Sequence, residues 1–219
     1  MNDFMDILNV CPLFCNIQKN DIQKLIACLS AVKKQFKKNT FIFAPEKKAD
    51  SIGIVLSGSA DILREDYWGN RVILARIEPG GLFGEAFSCA QVEKLPVSVN
   101  AVEDSDILLI NCGRILTPCA SVCEFHAGLV KNLVRILANK NILLTQKLEH
   151  VTQRTTREKL LSYLSEQVNI KKSNIFDIPF NRQELADYLA IDRSAMSFEL
   201  SKMQNENLLR FKRNHFELL

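Results

Sequence analysis

The sequence predicts an α+β chain in three parts: an antiparallel β-domain, one long helix, and a helix-turn-helix closed by a β-hairpin. Three observations carry this. All eight glycines lie at or before Gly128, and six of them fall between Gly53 and Gly84, among short apolar runs. From about residue 120 to 153 there is no proline and one glycine, while apolar residues recur at helical spacing. Near the C-terminus, two helix-cap signatures at Asn181 and Asp192 bracket a tight turn.

The composition belongs to a folded, globular chain: 219 residues, 47% apolar and 24% charged. It excludes disordered, collagen-like and low-complexity classes. No apolar run approaches the ~18 residues that a membrane span needs, so no membrane partner is expected. Asp3 and Asp6 stand where a signal peptide needs a basic segment, which points to the cytoplasm. The seven cysteines then read as thiols. With 28 Lys+Arg against 25 Asp+Glu, net charge is only +3, and bulk charge makes no case for nucleic acid.

The elements follow in order. Residues 17–32 carry Ile22, Leu25, Ile26 and Leu29 at helical spacing. Short apolar runs then fill 40–44, 51–57, 59–66, 71–77, 97–102 and 106–111. Turn signals separate them at Pro45, Gly58, Gly69-Asn70, Pro79-Gly80-Gly81 and Gly113. Short strands at such spacing indicate a β-barrel or sandwich.

The long helix carries two stripes. One is Val130, Val134, Leu137, Asn141, Leu144, Leu148 and Val151, a strict heptad seam. The other is Leu129, Leu133, Ile136 and Leu143. Two apolar faces need two partners. The second stripe is expected to pack on the β-domain, and the seam on a second copy of the same helix. A lone core Asn such as Asn141 fixes register and favours a dimer. A helix buried within one monomer is the alternative, and it seldom keeps so strict a period.

Thr155 and Glu158 form a capping-box pattern and start a helix through about residue 167. Residues 175–180 read as a short strand. Asn181 opens a short helix to Leu189, residues 190–192 turn, and Asp192 caps a second helix from Arg193 to about Asn205. Leu185, Leu189, Ile191, Met196, Leu200 and Met203 form their shared core. Residues 208–212 and 216–219 alternate around Arg213, so a hairpin follows and the motif is winged. A recognition helix enters the major groove by its N-terminal turns. Arg193, Ser194, Ser197 and Phe198 face outward there, and Arg193 can bond guanine bidentately. Arg182 and Gln183 suit phosphate contacts. Lys202, Arg210, Lys212 and Arg213 add backbone charge. The alternative is a helix-turn-helix used only for packing.

The chain resembles the bacterial Crp/Fnr family of transcription regulators along nearly its whole length. Segments 52–58 and 61–63, the run from Pro79 to Glu85, the long helix, and residues 181–194 carry the resemblance. It implies an N-terminal double-stranded β-helix (jelly-roll) sensor of the cyclic-nucleotide-binding kind over 1–118, a dimerisation helix over 119–151 and a winged helix-turn-helix over 152–219. It implies a homodimer that reads palindromic double-stranded DNA, with RNA polymerase as a protein partner, and no enzymatic activity. One departure is Phe198, where the family often has a second arginine; a phenyl ring can touch a thymine methyl but cannot give bidentate readout.

The resemblance also places an effector pocket around Gly84, Glu85, Cys89, Leu95 and Pro96. Members that bind cyclic nucleotides carry Arg-Ser where this chain has Leu95-Pro96, and Lys94 is the only cation near. A buried phosphate without a charged partner loses its strongest bonds, so cyclic AMP is not expected as the effector, whose identity stays open. Cys11, Cys15, Cys28 and Cys112 do not match an iron–sulfur ligand set, and no such cluster is expected. Cys119, Cys123 and His126 share a helix face; they can bind a metal or, as the favoured reading, pack as small buried groups. Cys89 can act as a redox-reactive thiol. Two rival functions stay in view. A metal-dependent enzyme on a jelly roll lacks its ligand set, since His126, His150 and His215 all fall outside the β-region. An effector-binding roll with metal or thiol redox chemistry would make DNA binding secondary.

Overall fold

The computed structural model describes residues 4–68, 71–117 and 124–219. The turn expected at Gly69-Asn70, and Cys119 and Cys123, lie outside the described residues. The chain divides into two compact units, Met1–Ala138 and Asn139–Leu219.

The first unit opens with α1 (Met5–Val10), a 3-10 turn (Pro12–Phe14) and α2 (Lys19–Cys28). Strands β1 (Val32–Phe36), β2 (Phe41–Phe43), β3 (Ser51–Ser57), β4 (Ala60–Glu65), β5 (Arg71–Ile77) and β6 (Leu82–Phe83) follow. Then come α3 (Glu85–Cys89), β7 (Ser98–Ala101), β8 (Ser105–Asn111) and α4 (Cys112–Leu116). Two four-stranded antiparallel sheets result, ordered β1-β8-β3-β6 and β2-β7-β4-β5. This is the jelly-roll arrangement.

Strand β3 shows why the sequence folds this way. Ile52, Ile54 and Leu56 join one core with Leu8, Leu13, Leu25, Leu129 and Leu133, against the helices. Val55 points to the other face and meets Phe83, Val99 and Ile107 between the sheets. Both faces of the strand are covered, so it reads as a continuous apolar run. Gly53 sits where the Phe83 ring would stand 2.1 Å from any Cβ, so no larger residue fits.

The long helix α5 (Glu124–Val151) runs through both units. Leu129 and Leu133 are fully buried in the first core, and Ile136 packs against it, as expected for the second stripe. Leu143 does not follow: it is exposed, because it lies beyond the residues that cover that core. Asn132 is buried and donates to the carbonyls of Leu13 (3.0 Å) and Cys15 (2.8 Å), tying α5 to the N-terminal turn.

The second unit holds α6 (Thr156–Lys171), β9 (Ile175–Asp177), α7 (Arg182–Tyr188), α8 (Arg193–Asn205), β10 (Leu209–Lys212) and β11 (His215–Leu218). The capping box of Thr155 and Glu158 is formed. A three-stranded sheet, β10-β11-β9, backs the helices. Leu185, Leu189, Met196, Leu200 and Met203 share one core with Leu164 and Phe216.

Two elements stop several residues short of expectation, while α6 runs on to Lys171. The lead-in helix stops at Cys28 rather than reaching residue 32, because Ser30 turns the chain with φ +49° and Val32 begins a strand paired with β8. Strand β9 ends at Asp177, since Pro179 has no N–H to continue the ladder.

Candidate nucleic-acid interface and sensor cavity

The second unit builds one surface from three element ends. Asn181 caps α7, its side chain accepting from the N–H groups of Gln183 (2.9 Å) and Glu184 (3.0 Å), while Glu184 reaches back to the Asn181 N–H (2.7 Å). Asp192 caps α8 by accepting from the Ala195 N–H at 2.8 Å. Bonds from the Ser194 hydroxyl and from backbone N–H groups hold the Asp192 carboxyl below its ordinary range. The Lys159 ammonium donates to the carbonyls of Leu189 (3.3 Å) and Ala190 (3.2 Å), satisfying the end of α7 at the turn. Arg157 pairs with Glu206 and Glu199, pinning α6 to α8. The turn and both helices are thus fixed before any partner arrives.

Met196, Leu200 and Met203 are fully buried, which rotates the opposite face of α8 outward. Arg193, Ser194, Ser197, Phe198 and Lys202 are all exposed, Phe198 by 73%. The Ser197 hydroxyl donates back to the Arg193 carbonyl at 2.9 Å. On the hairpin, Arg210, Lys212 and Arg213 are exposed, with Arg210 held 3.5 Å from Glu217. Arg213 makes the hairpin turn with φ +56°.

Gln183 is exposed and bonds Asp187 at 2.9 Å. Arg182 is placed differently from the free phosphate arm read from the sequence. Its guanidinium lies 4.6 Å from the Phe211 ring centre and 5.3 Å from that of Phe216. Burial lowers its pKa below the usual arginine range, and Nη2 is buried without a protein partner. The hairpin aromatics have drawn this side chain onto themselves. A cavity of about 440 Å³ beside it is also lined by Phe180, Arg213 and Asn214.

His150, at the end of α5, was marked in the sequence only as a histidine outside the β-region, and its packing role was not read. It is 2% exposed, with Nδ1 2.8 Å from the Ser162 hydroxyl and Nε2 2.8 Å from Glu166. The Tyr163 ring meets it edge-on. This network binds the last turn of α5 to α6. A signal existed, since a His twelve residues before a Ser and sixteen before a Glu spans one helix–helix joint, but nothing marked that spacing as special.

Along the seam of α5, Val130 and Leu137 are half-buried against the first core. Val134, Asn141, Leu144 and Leu148 are exposed, Leu144 by 66% and Leu148 by 59%.

In the first unit, a cavity of about 330 Å³ opens on the sheet that contains β7. Leu95 and Pro96 line it, together with Glu46, Glu65, Asp66 and Ser98. Gly84, Glu85 and Cys89 are not among its lining residues. Gly84 caps α3 with φ +80°, which favours glycine. Glu85 is buried in the first turn of α3. Cys89 packs toward the helical core instead, because it ends α3 on the side facing α4. His126 is buried with Nε2 2.9 Å from the Arg114 carbonyl. Among the described residues, no cluster of three His, Cys, Asp or Glu could hold a metal ion.

A jelly roll with a cavity on one sheet, a long helix with an apolar exposed edge, and a winged helix-turn-helix define a class: one-component regulators that join a sensor roll to a DNA-binding domain. The cyclic nucleotide-binding domain family matches residues 33–119, and the Crp-like helix-turn-helix domain family matches residues 158–219. The chain belongs to the Crp/Fnr family of transcription regulators.

Solved structures share the fold. The catabolite activator protein of Thermus thermophilus is 21% identical, with 95% of this chain and 93% of that one covered and a TM-score of 0.51. The c-di-GMP responsive global regulator CLP of Xanthomonas campestris is 17% identical, with 92% and 99% covered and a TM-score of 0.58. The sensor domain of the regulator DNR from Pseudomonas aeruginosa is 17% identical over 69% of this chain and 95% of that one, with a TM-score of 0.52. No match was found among curated protein sequences. Members of the family are DNA-binding regulators and dimers. Among the described residues, no helix is long and apolar enough to cross a membrane.

Proposed function

We propose that this regulator acts as a homodimer on inverted-repeat operators, with α8 as the recognition helix and Arg193 as its main base reader. The carrying observation is the capped, outward face of α8: Arg193, Ser194, Ser197 and Phe198 stand exposed while the opposite face is locked into the core. A bidentate Arg–guanine contact discriminates by about 1–3 kcal/mol. Ser194 and Ser197 add hydrogen bonds, and Phe198 a thymine methyl contact. Gln183 and Lys202, with Arg210, Lys212 and Arg213 on the wing, hold phosphates. Arg182 supports the wing from beneath through its stack on Phe211 and Phe216.

The exposed part of the seam, from Val134 to Leu148, supports helix-to-helix pairing of two copies. The three parts then divide the work as sensor (1–118), dimer helix (119–151) and reader (152–219). A two-fold dimer presents two α8 helices to successive major grooves about 34 Å apart. The protein works in the cytoplasm, where it contacts RNA polymerase.

The effector is not cyclic AMP. Leu95 and Pro96 face a cavity that three carboxylates line, and a cyclic phosphate would meet like charge there instead of a cation. The residues present do not fit a cyclic nucleotide, and a neutral or cationic small molecule suits them better.

Selection of bound sequences from a random duplex library tests the reading. An inverted repeat with half-sites one helical turn apart supports it. Enrichment of single half-sites or of no motif overturns it.

A further inference from the structure

Two thiols outside the interface and the cavity stand together. The sulfurs of Cys89 and Cys112 are 3.0 Å apart. Neither position is loose. Cys89 ends α3, whose Ser88 hydroxyl donates to the Ser51 carbonyl at 2.7 Å. Cys112 begins α4, and its N–H donates to the Asp50 carbonyl at 2.9 Å. The two helices are therefore anchored to Asp50 and Ser51, the residue before β3 and its first, which sets the sulfurs opposite each other. A disulfide needs 2.03–2.05 Å, so closure asks for a movement of about 1 Å.

We propose that Cys89 and Cys112 form a site of reversible oxidation, closing an intramolecular disulfide when the protein meets a hydroperoxide. The two sulfurs differ in role. Cys112 is 2% exposed, and burial followed by the neighbouring Cys89 pushes its pKa up to about 12. It stays a thiol, 3.0 Å from the Cys89 sulfur. Cys89 is half-buried, less enclosed than Cys112, so its sulfur is the attacking group.

The steps balance. The Cys89 thiolate attacks the terminal peroxide oxygen; the O–O bond breaks, an alcohol or water leaves after taking a proton, and Cys89 becomes a sulfenic acid. The Cys112 sulfur then attacks the Cys89 sulfur. The S–S bond forms, the S–O bond breaks, and hydroxide departs as water with the Cys112 proton. Two thiols and one hydroperoxide give one disulfide, one alcohol or water, and one further water. A small-molecule dithiol reverses it by exchange. A cavity of about 260 Å³, lined by Lys48, Asp50, Ser88, Asn111 and Cys112, adjoins the Cys112 side of the pair. The bond ties α3, the helix that carries Glu85, to α4.

The experiment treats the full chain with one equivalent of hydrogen peroxide, blocks remaining thiols by alkylation, and maps peptides without reduction. The expected product is a peptide pair joined through Cys89 and Cys112, lighter by two hydrogens and cleaved by dithiothreitol. In Cys112→Ser, and in Cys112→Ala as a second variant for the buried position, Cys89 should accumulate as a sulfenic acid that dimedone traps. In Cys89→Ser, Cys112 should stay alkylatable after unfolding. A Cys15→Ser/Cys28→Ser variant, which lacks two exposed thiols, should still give the cross-link. Oxidation confined to other cysteines, or Cys89 and Cys112 both recovered as free thiols, overturns the proposal. The readout needs no DNA, so it stands or falls apart from the operator reading.

Discussion

Replacing Leu144 by Asp attacks the seam of α5 where it can be attacked cleanly. Leu144 is 66% exposed in the single chain, so the substitution removes little packing within the monomer. Leu137, by contrast, is half-buried against the first core, and changing it would mix folding with assembly. Fully burying a leucine contributes about 1.5–3 kcal/mol. Two-thirds of that is gained at the proposed interface, or about 1–2 kcal/mol per copy. A two-fold dimer loses it twice, about 2–4 kcal/mol. The dimer dissociation constant should therefore rise about 30- to 1,000-fold. Any buried aspartate adds a further desolvation cost. Sedimentation velocity across a concentration series reads this directly, and circular dichroism checks that the helix content is kept. If Leu144→Asp leaves the dimer constant unchanged, the seam is not the interface. If the wild type is monomeric at micromolar concentration, pairing along α5 is wrong altogether.

Other expectations concern the second unit. His150→Ala should lower stability by about 2–4 kcal/mol, read as a lower urea midpoint, because it empties a buried ring site and strands Ser162 and Glu166. An unchanged midpoint would show the joint between α5 and α6 to be held elsewhere. Arg182→Leu should destabilise by about 1 kcal/mol through the lost stack on Phe211 and Phe216, with Lys a poor substitute; equal melting of Lys and Arg forms would refute the stack. The Asp192 carboxyl is held below its ordinary value of 3.8, so its contribution is present above that pH and lost as pH falls through the lower folded value. Asp192→Asn should keep the α8 cap and remove that part of the acid dependence, as followed by helical signal against pH.

Much of this was legible because local chemistry and final structure agree. Strand β3 announced itself because both of its faces are buried, and the Pro79-Gly80-Gly81 turn signal closed β5 on its C-terminal side. The caps at Thr155, Asn181 and Asp192 set three helix starts, since each oxygen has only nearby amides to satisfy. Strand β1 was missed because Val-Lys-Lys-Gln-Phe is mostly exposed at a sheet edge and shows no apolar alternation. The fate of Arg182 depended on where Phe211 and Phe216 would stand, thirty residues away in sequence. The carboxylates Glu46, after β2, and Glu65 and Asp66, at the end of β4, meet only because the sheet brings the two places together. The approach of Cys89 to Cys112 is likewise a product of α3 and α4 being pinned to one strand, and no spacing rule encodes it.

The central claim is that Arg193 reads bases from the N-terminal turn of α8. Sequence selection on random duplex DNA, run in parallel on wild type and Arg193→Ala, tests it most directly. The variant should keep an inverted repeat but lose preference at one base pair per half-site, at a cost of about 1–3 kcal/mol each. Lys212→Ala and Arg213→Ala should instead weaken all sequences alike and flatten the salt dependence. If Arg193→Ala leaves the selected motif intact and weakens specific and random DNA in equal measure, Arg193 holds only the backbone, and the readout lies with Ser194, Ser197 or Phe198.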